Sequence, residues 1–261
     1  MQFCGAKIKQ KKMTKKILNL VAFSMAVQLF WSCSSGTKNG NGGVDSSKMV
    51  YKNQHVLTKA EQDSLTLEQV LQEFKDGNER FKNGNVTQRK HSEAIRKAAT
   101  DGQFPKAMVL SCVDSRVPVE DVFDQGIGDI FVGRVAGNFV NTDILGSMEF
   151  ACKVSGAKLI LVMGHQHCGA VKGAIDDVHL GNITSMLANV KPAVVMSQSF
   201  GGEKSSKNEA FVKLVSQNNV KNTIAKIRAE SEILRTMESK GEIKIVGAFY
   251  TLRTGELQFI D

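Results

Sequence analysis

The chain has 261 residues, 34 basic against 26 acidic, with a formal charge of +8 and a pI of about 9.2. At 42 % hydrophobic and 23 % charged it is neither a disordered nor a fibrous chain, and its length suffices for one domain or two small ones with a real core. A charge of +8 raises the question of a polyanionic partner or an anionic membrane, so its position along the chain matters.

Residues 1–32 hold Lys7, Lys9, Lys11, Lys12, Lys15 and Lys16 and no acid. Removing them leaves 28 basic and 26 acidic residues, so the remainder calls for no nucleic-acid partner. After the lysines, Ile17 to Trp31 is apolar apart from Asn19, Ser24 and Gln28. It is shorter than the roughly 20 residues of a comfortable span. A basic segment, a short apolar segment and a small residue form an export signal. Met13 offers an alternative start, with a compact leader from Met13 to Ser32.

Cys33, directly after Ser32, resembles the lipidated cysteine of a bacterial lipoprotein signal. Phe30-Trp31-Ser32 departs from the usual small-residue box, and Leu29 sits one place early. Ordinary secretion and an uncleaved anchor remain the alternatives. Ser34 to Lys48 is rich in Gly, Ser and Asn and reads as a tether. The expected organisation is a signal peptide (1–32), a lipid-attached flexible tether (33–56) and a folded domain (57–261). That domain would be exported and held by lipid at a membrane of the periplasm or cell envelope.

Leu57 to Asn83 predicts an amphipathic helix, with Thr66 and Gln69 as a capping box. Arg89 to Thr100 reads as loop or a short helix. Ala107 to Leu110, Asp129 to Val135 and Lys158 to Met163 are apolar runs that read as buried strands. Helical spacing covers Thr142 to Val154, with Gly156 as its stop, and then Ala170 to Val178, Ile183 to Met196 and Val220 to Met237. Glu242 to Leu252 and Leu257 to Ile260 are strand-like. Continuous apolar strands alternating with helices predict an α/β fold: a mostly parallel sheet flanked by helices, with an N-terminal helical arm.

Of five cysteines, Cys4 and Cys33 belong to the leader and its junction, leaving Cys112, Cys152 and Cys168. An odd number does not suggest a disulfide framework. Cys152 lies in an apolar helical pattern and reads as core. Cys112 follows the first predicted strand, and His165 and Cys168 follow the third. If these strands are neighbours, the three side chains converge at the carboxyl edge of the sheet, where α/β sites form. Two thiolates and an imidazole suit Zn²⁺, and three protein ligands leave the open position of a catalytic site. Arg116 would hold Asp114 ionised, ready to accept a hydrogen bond from a water at the metal; the alternative is a surface ion pair of little consequence. His167 reads as a packed or solvated histidine in preference to a proton relay. Met163-Gly164 predicts a sharp turn off the strand.

Cys112-x-Asp114-Ser115-Arg116 with His165-x-x-Cys168-Gly169 resembles the β-class carbonic anhydrases. Gln103-Phe104-Pro105-Lys106, Asp129-x-Phe131-Val132-x-Arg134 and Ala136-Gly137-Asn138 extend the likeness across Leu67 to Asp261. The resemblance implies one Zn²⁺ per chain on Cys112, His165 and Cys168, with water or Asp114 in the fourth place. It implies reversible hydration of CO₂ to bicarbonate and a proton, with Asp114 and Arg116 in the catalytic machinery. Phe131, Ala136 and Gly169 would line the substrate cavity, and Gln103 would hydrogen-bond substrate from a neighbouring subunit. It also implies a homodimer or larger homo-oligomer, with Gln103, Phe131 and Phe150 reaching a partner's site. Val109 stands where some relatives place a Trp that serves a bicarbonate switch, and Phe150 where many place Tyr. Two rivals are the same site acting on carbon disulfide or carbonyl sulfide, and a zinc-bearing assembly protein without turnover.

Overall fold

The computed structural model describes residues 55–87 and 91–260. The leader, Cys33 and the tether up to residue 54 lie outside them. Five strands form one sheet: β1 (Ala107–Ser111), β2 (Ile130–Arg134), β3 (Leu159–His165), β4 (Lys244–Tyr250) and β5 (Leu257–Ile260). Their order is β2-β1-β3-β4-β5. β1 pairs with β2 and β3, and β3 with β4, all parallel; β5 returns antiparallel on β4. This is the mostly parallel α/β sheet that the apolar runs predict.

Both faces of the central strands are covered, which is why these strands read as unbroken apolar runs. Period-two alternation divides them between two cores. Met108, Leu110, Ile160 and Val162 face α5 (Thr142–Glu149), α9 (Glu209–Glu230) and α10 (Glu232–Ser239). Ala107, Val109, Leu159, Leu161 and Met163 face α2 (Leu67–Lys82) and α4 (Val119–Val122), where the Phe74 and Phe123 rings meet at 4.7 Å. Each fully buried Val, Leu, Ile, Met or Phe among them contributes roughly 1.5–3 kcal/mol. A third cluster caps the carboxyl end of the sheet. It joins α6 (Gly169–Ile175), α7 (Gly181–Ala188), α8 (Lys191–Met196) and the start of α9 around Cys112 and Cys168.

Several predicted helices differ in extent, each for a local reason. The single helix over 57–83 is two, α1 (Lys59–Ser64) and α2, because Thr66 and Gln69 do form a capping box and thereby start a new helix. Thr58 and Glu61 form another at α1. The segment after residue 89 contains the short helix α3 (Glu93–Ala98). The helix over 142–154 changes at Phe150 into a π-helical turn, Phe150–Val154. The helix over 183–196 breaks before α8, whose first turn carries Pro192. The helix placed at 220–237 begins at Glu209 and breaks at Ser231, which caps α10 through its hydroxyl while donating to Glu149 at 2.6 Å. The first half of α9 is missed because Ser216, Asn218 and Asn219 interrupt its apolar pattern.

Gly164 does not turn the chain: β3 runs on through His165. A Cβ at Gly164 would lie 2.9 Å from Val220 on α9, so the glycine instead allows helix and strand to approach closely.

Candidate metal centre

β1 and β3 are parallel neighbours, with Leu110 opposite Val162, so both strands deliver their next residues to the same edge of the sheet. Cys112 lies one residue beyond β1, His165 is the last residue of β3, and Cys168 immediately precedes α6. The sulfur and nitrogen donors of all three lie within 4.8 Å of one another, and all three residues are buried. The two sulfurs are 3.9 Å apart. Two thiolates about 2.3 Å from one tetrahedral ion would stand about 3.8 Å apart, so the spacing fits.

The protonation chemistry fits as well. His165 Nδ1 lies 2.9 Å from the Gln166 carbonyl, which only accepts, so Nδ1 carries the proton. Nε2 is then a bare lone pair, buried and without a hydrogen-bond partner among the described residues. Cys112 and Cys168 share a proton. The bond from Cys168 lowers the Cys112 thiol well below its usual range, with help from the Gly137 N–H at 3.4 Å. The same bond, burial and the Cys112 charge push Cys168 upward. One negative charge is therefore easily held, and the second requires a cation. Buried donors of types N, S and S make this pocket suited to Zn²⁺.

Asp114 stands beside these donors. Its Oδ2 is 3.8 Å from His165 Nε2. Arg116 grips the carboxylate in a fork, Nε to Oδ1 at 2.9 Å and Nη2 to Oδ2 at 2.7 Å, and the Arg116 N–H adds a third bond at 3.0 Å. The side-chain bonds of Arg116 are the main reason that the Asp114 carboxyl is lowered to about 2. Asp114 is 14 % exposed, so this differs from a solvated surface pair.

Arg134, which the sequence offers only as part of a longer likeness, clamps the loop that carries these groups. Its guanidinium donates to the carbonyls of Cys112 at 3.0 Å and Val117 at 2.6 Å. A basic residue ending a strand beside a ligand-bearing loop is the signal that would have found it. His167 takes a left-handed conformation (φ 56), accepts Arg116 Nη2 on its carbonyl at 3.4 Å and directs Nε2 towards Glu209 at 3.8 Å. Cys152 is buried in the first core, and burial raises its thiol to about 12.

Ala136 and Gly169 flank the donors. Gly137, next to Ala136, is bonded to Cys112 and lies close to Ala170. Gly169 borders open space. Gln103 and Phe131 are not brought to this site within the chain. Gln103 is exposed and precedes β1, whose five residues span about 16 Å before Cys112. Phe131 pairs in register with Met108, near the far end of β1. It stacks edge-on against Phe150 at 6.1 Å in a groove of about 610 Å³ beside β2.

The model of the family described as carbonic anhydrase matches residues 107–257. The curated carbonic anhydrase 2 of Mycobacterium tuberculosis is 35 % identical over 187 residues, covering 70 % of this chain and 87 % of its own length. The solved β-carbonic anhydrase CcaA superposes with a TM-score of 0.59 at 23 % identity, over 74 % of this chain and 88 % of that one. A β-carbonic anhydrase of Sordaria macrospora, described as tetrameric, superposes at 0.56 with 25 % identity, over 64 % and 85 %.

Proposed function

Because this chain belongs to the carbonic anhydrase family, we propose that it interconverts CO₂ with bicarbonate and a proton, using Zn²⁺ held by Cys112, His165 and Cys168. The observation that carries this reading is the convergence of three buried donors within 4.8 Å beside an arginine-gripped carboxylate. Bound Zn²⁺ lowers the pKa of water to about 7 and so supplies hydroxide at neutral pH. The residues of the chain do the rest. Asp114, ionised because Arg116 holds it so, accepts a hydrogen bond from the attacking water and orients its lone pair towards CO₂. Arg116 keeps that carboxylate in one orientation. Arg134 holds the loop between Cys112 and Val117. Ala136 and Gly169 offer small, apolar surface to a substrate with no net dipole.

The position of Gln103 and Phe131, away from the donors of their own chain, supports a homodimer or higher oligomer in which a second chain brings them to the site. The tetrameric description of the Sordaria macrospora enzymes agrees with this. The sequence of the leader supports export and lipid attachment at Cys33. Among the described residues, no helix is long and apolar enough to cross a membrane.

Metal analysis and stopped-flow CO₂ hydration on the purified chain test the catalytic reading together. About one zinc per chain is expected, with activity lost on its removal. Full activity in metal-free protein overturns it. Membrane fractionation and lipid labelling of Cys33→Ser test the anchor, which is wrong if neither changes.

A further inference from the structure

Behind the ligand Cys112, the chain makes a tight turn at Gly137 and Asn138, both with positive φ (86 and 39). A non-glycine residue in this region costs free energy and persists only where its surroundings hold it. The Gly137 N–H donates to Cys112 Sγ at 3.4 Å. On the other side of the same residue, the Gly137 carbonyl accepts Asn219 Nδ2 at 2.7 Å. Asn219 is fully buried in the middle of α9, 82 positions away in sequence. One helical turn further along α9, Thr223 donates to the Asn138 carbonyl at 3.2 Å. The turn has little room to shift. A Cβ at Gly137 would lie 2.9 Å from Val190 and 3.2 Å from Ala170.

We infer that Asn219 is a positioning residue for the metal ligand Cys112, acting through Gly137. Its amide fixes the Gly137 carbonyl, and Gly137 thereby keeps its N–H aimed at the sulfur. An N–H bond to a thiolate supports the charge that the ligand must carry and sets its orientation. Buried away from water, the Asn219 amide has no solvent competitor for the carbonyl. Thr223 holds the Asn138 carbonyl, one residue further along the chain from the N–H that meets the sulfur.

This rests on the metal reading of the site, and the test separates the two. Zinc affinity is measured by competition with a chromogenic chelator in the parent chain, Asn219→Leu and Thr223→Val. Asn219→Leu keeps the branched outline of the side chain and removes the donor. It is expected to weaken zinc binding about 10- to 100-fold, the range for loss of a residue that orients a ligand. It is also expected to move the thiolate-to-metal charge-transfer band of the Co²⁺-substituted protein. Thr223→Val should leave both close to the parental values. The inference is overturned if folded Asn219→Leu binds zinc within about threefold of the parent, or if Thr223→Val loses as much affinity as Asn219→Leu. If Asn219→Leu does not fold, Asn219→Ala carries the test: it also removes the donor to the Gly137 carbonyl, and zinc affinity within about threefold of the parent there overturns the inference. A parent chain that binds no zinc would defeat the metal reading itself.

Discussion

The carboxyl edge of β1 and β3 and the outer edge of β2 are built from the same stretch of chain, yet one is closed and the other open. At the first edge every group is held by its own chain. Arg116 grips Asp114, Arg134 clamps the ligand loop, the Gln166 carbonyl orients His165, and Gly137 supports Cys112. At the second, β2 has a strand neighbour on one side only, and Phe150 remains 49 % exposed above the groove it shares with Phe131. The three donors and the carboxylate thus all come from one chain. Gln103 and Phe131, which the sequence reading gives to the substrate cavity, lie away from these groups, and the proposed second chain would supply them. The π-helical turn at Phe150 belongs to the open edge, where it ends the regular part of α5 and leaves the ring against β2.

Four substitutions probe this division. Cys112→Ser, at the closed edge, is expected to abolish zinc binding and bring CO₂ hydration down to the uncatalysed rate, measured by metal analysis and stopped flow. Retained zinc would show that the three donors do not act as a set. Asp114→Ala should keep zinc and slow hydration about 10²-fold or more, the lower range for loss of a positioned proton acceptor. Unchanged rates would remove Asp114 from the mechanism.

At the open edge, Phe150→Asp places a charge in the apolar groove. It should lower the mass found by light scattering and reduce hydration roughly tenfold, with zinc content unchanged. Full activity in a monomer would make the closed edge sufficient by itself. The smallest effect is expected from Arg116→Gln, read by the pH dependence of unfolding. Asp114 is lowered from 3.8 to about 2 in the folded chain, so its contribution is full above the unfolded value and is lost as pH falls towards about 2. Without Arg116 the carboxyl returns towards 3.8, and stability should fall less steeply across that acid window. An identical curve would mean that Arg116 does not hold the carboxyl down.

What was legible in the sequence follows from what is local. The three central strands are readable because burial on both faces demands continuous apolar residues. Thr66 with Gln69 is readable as a cap because capping depends on residues three apart. The donor set is readable because Cys112, His165 and Cys168 each lie at the end of such a run. The breaks at Pro192 and Ser231 are local too, but apolar spacing continuing on both sides conceals them. Asn219 had no such signal: a buried polar residue within a helix has a meaning only through the carbonyl it meets.

Where the charge and the chemistry reside can be read from the order of residues alone. The +8 belongs mostly to residues 1–32, and the sheet-edge donors are of the soft types that hold zinc. Those properties depend on composition and on short spacing. It took the assembled fold to make β1 and β3 neighbours, to bring a bare His165 Nε2 to two sulfurs, and to reach from α9 to the turn behind Cys112. The fold also placed Phe131 and Gln103 at a distance from the donors of their own chain. Such relations join residues far apart in sequence, and their energy comes from burial and hydrogen bonds formed only once the sheet is assembled.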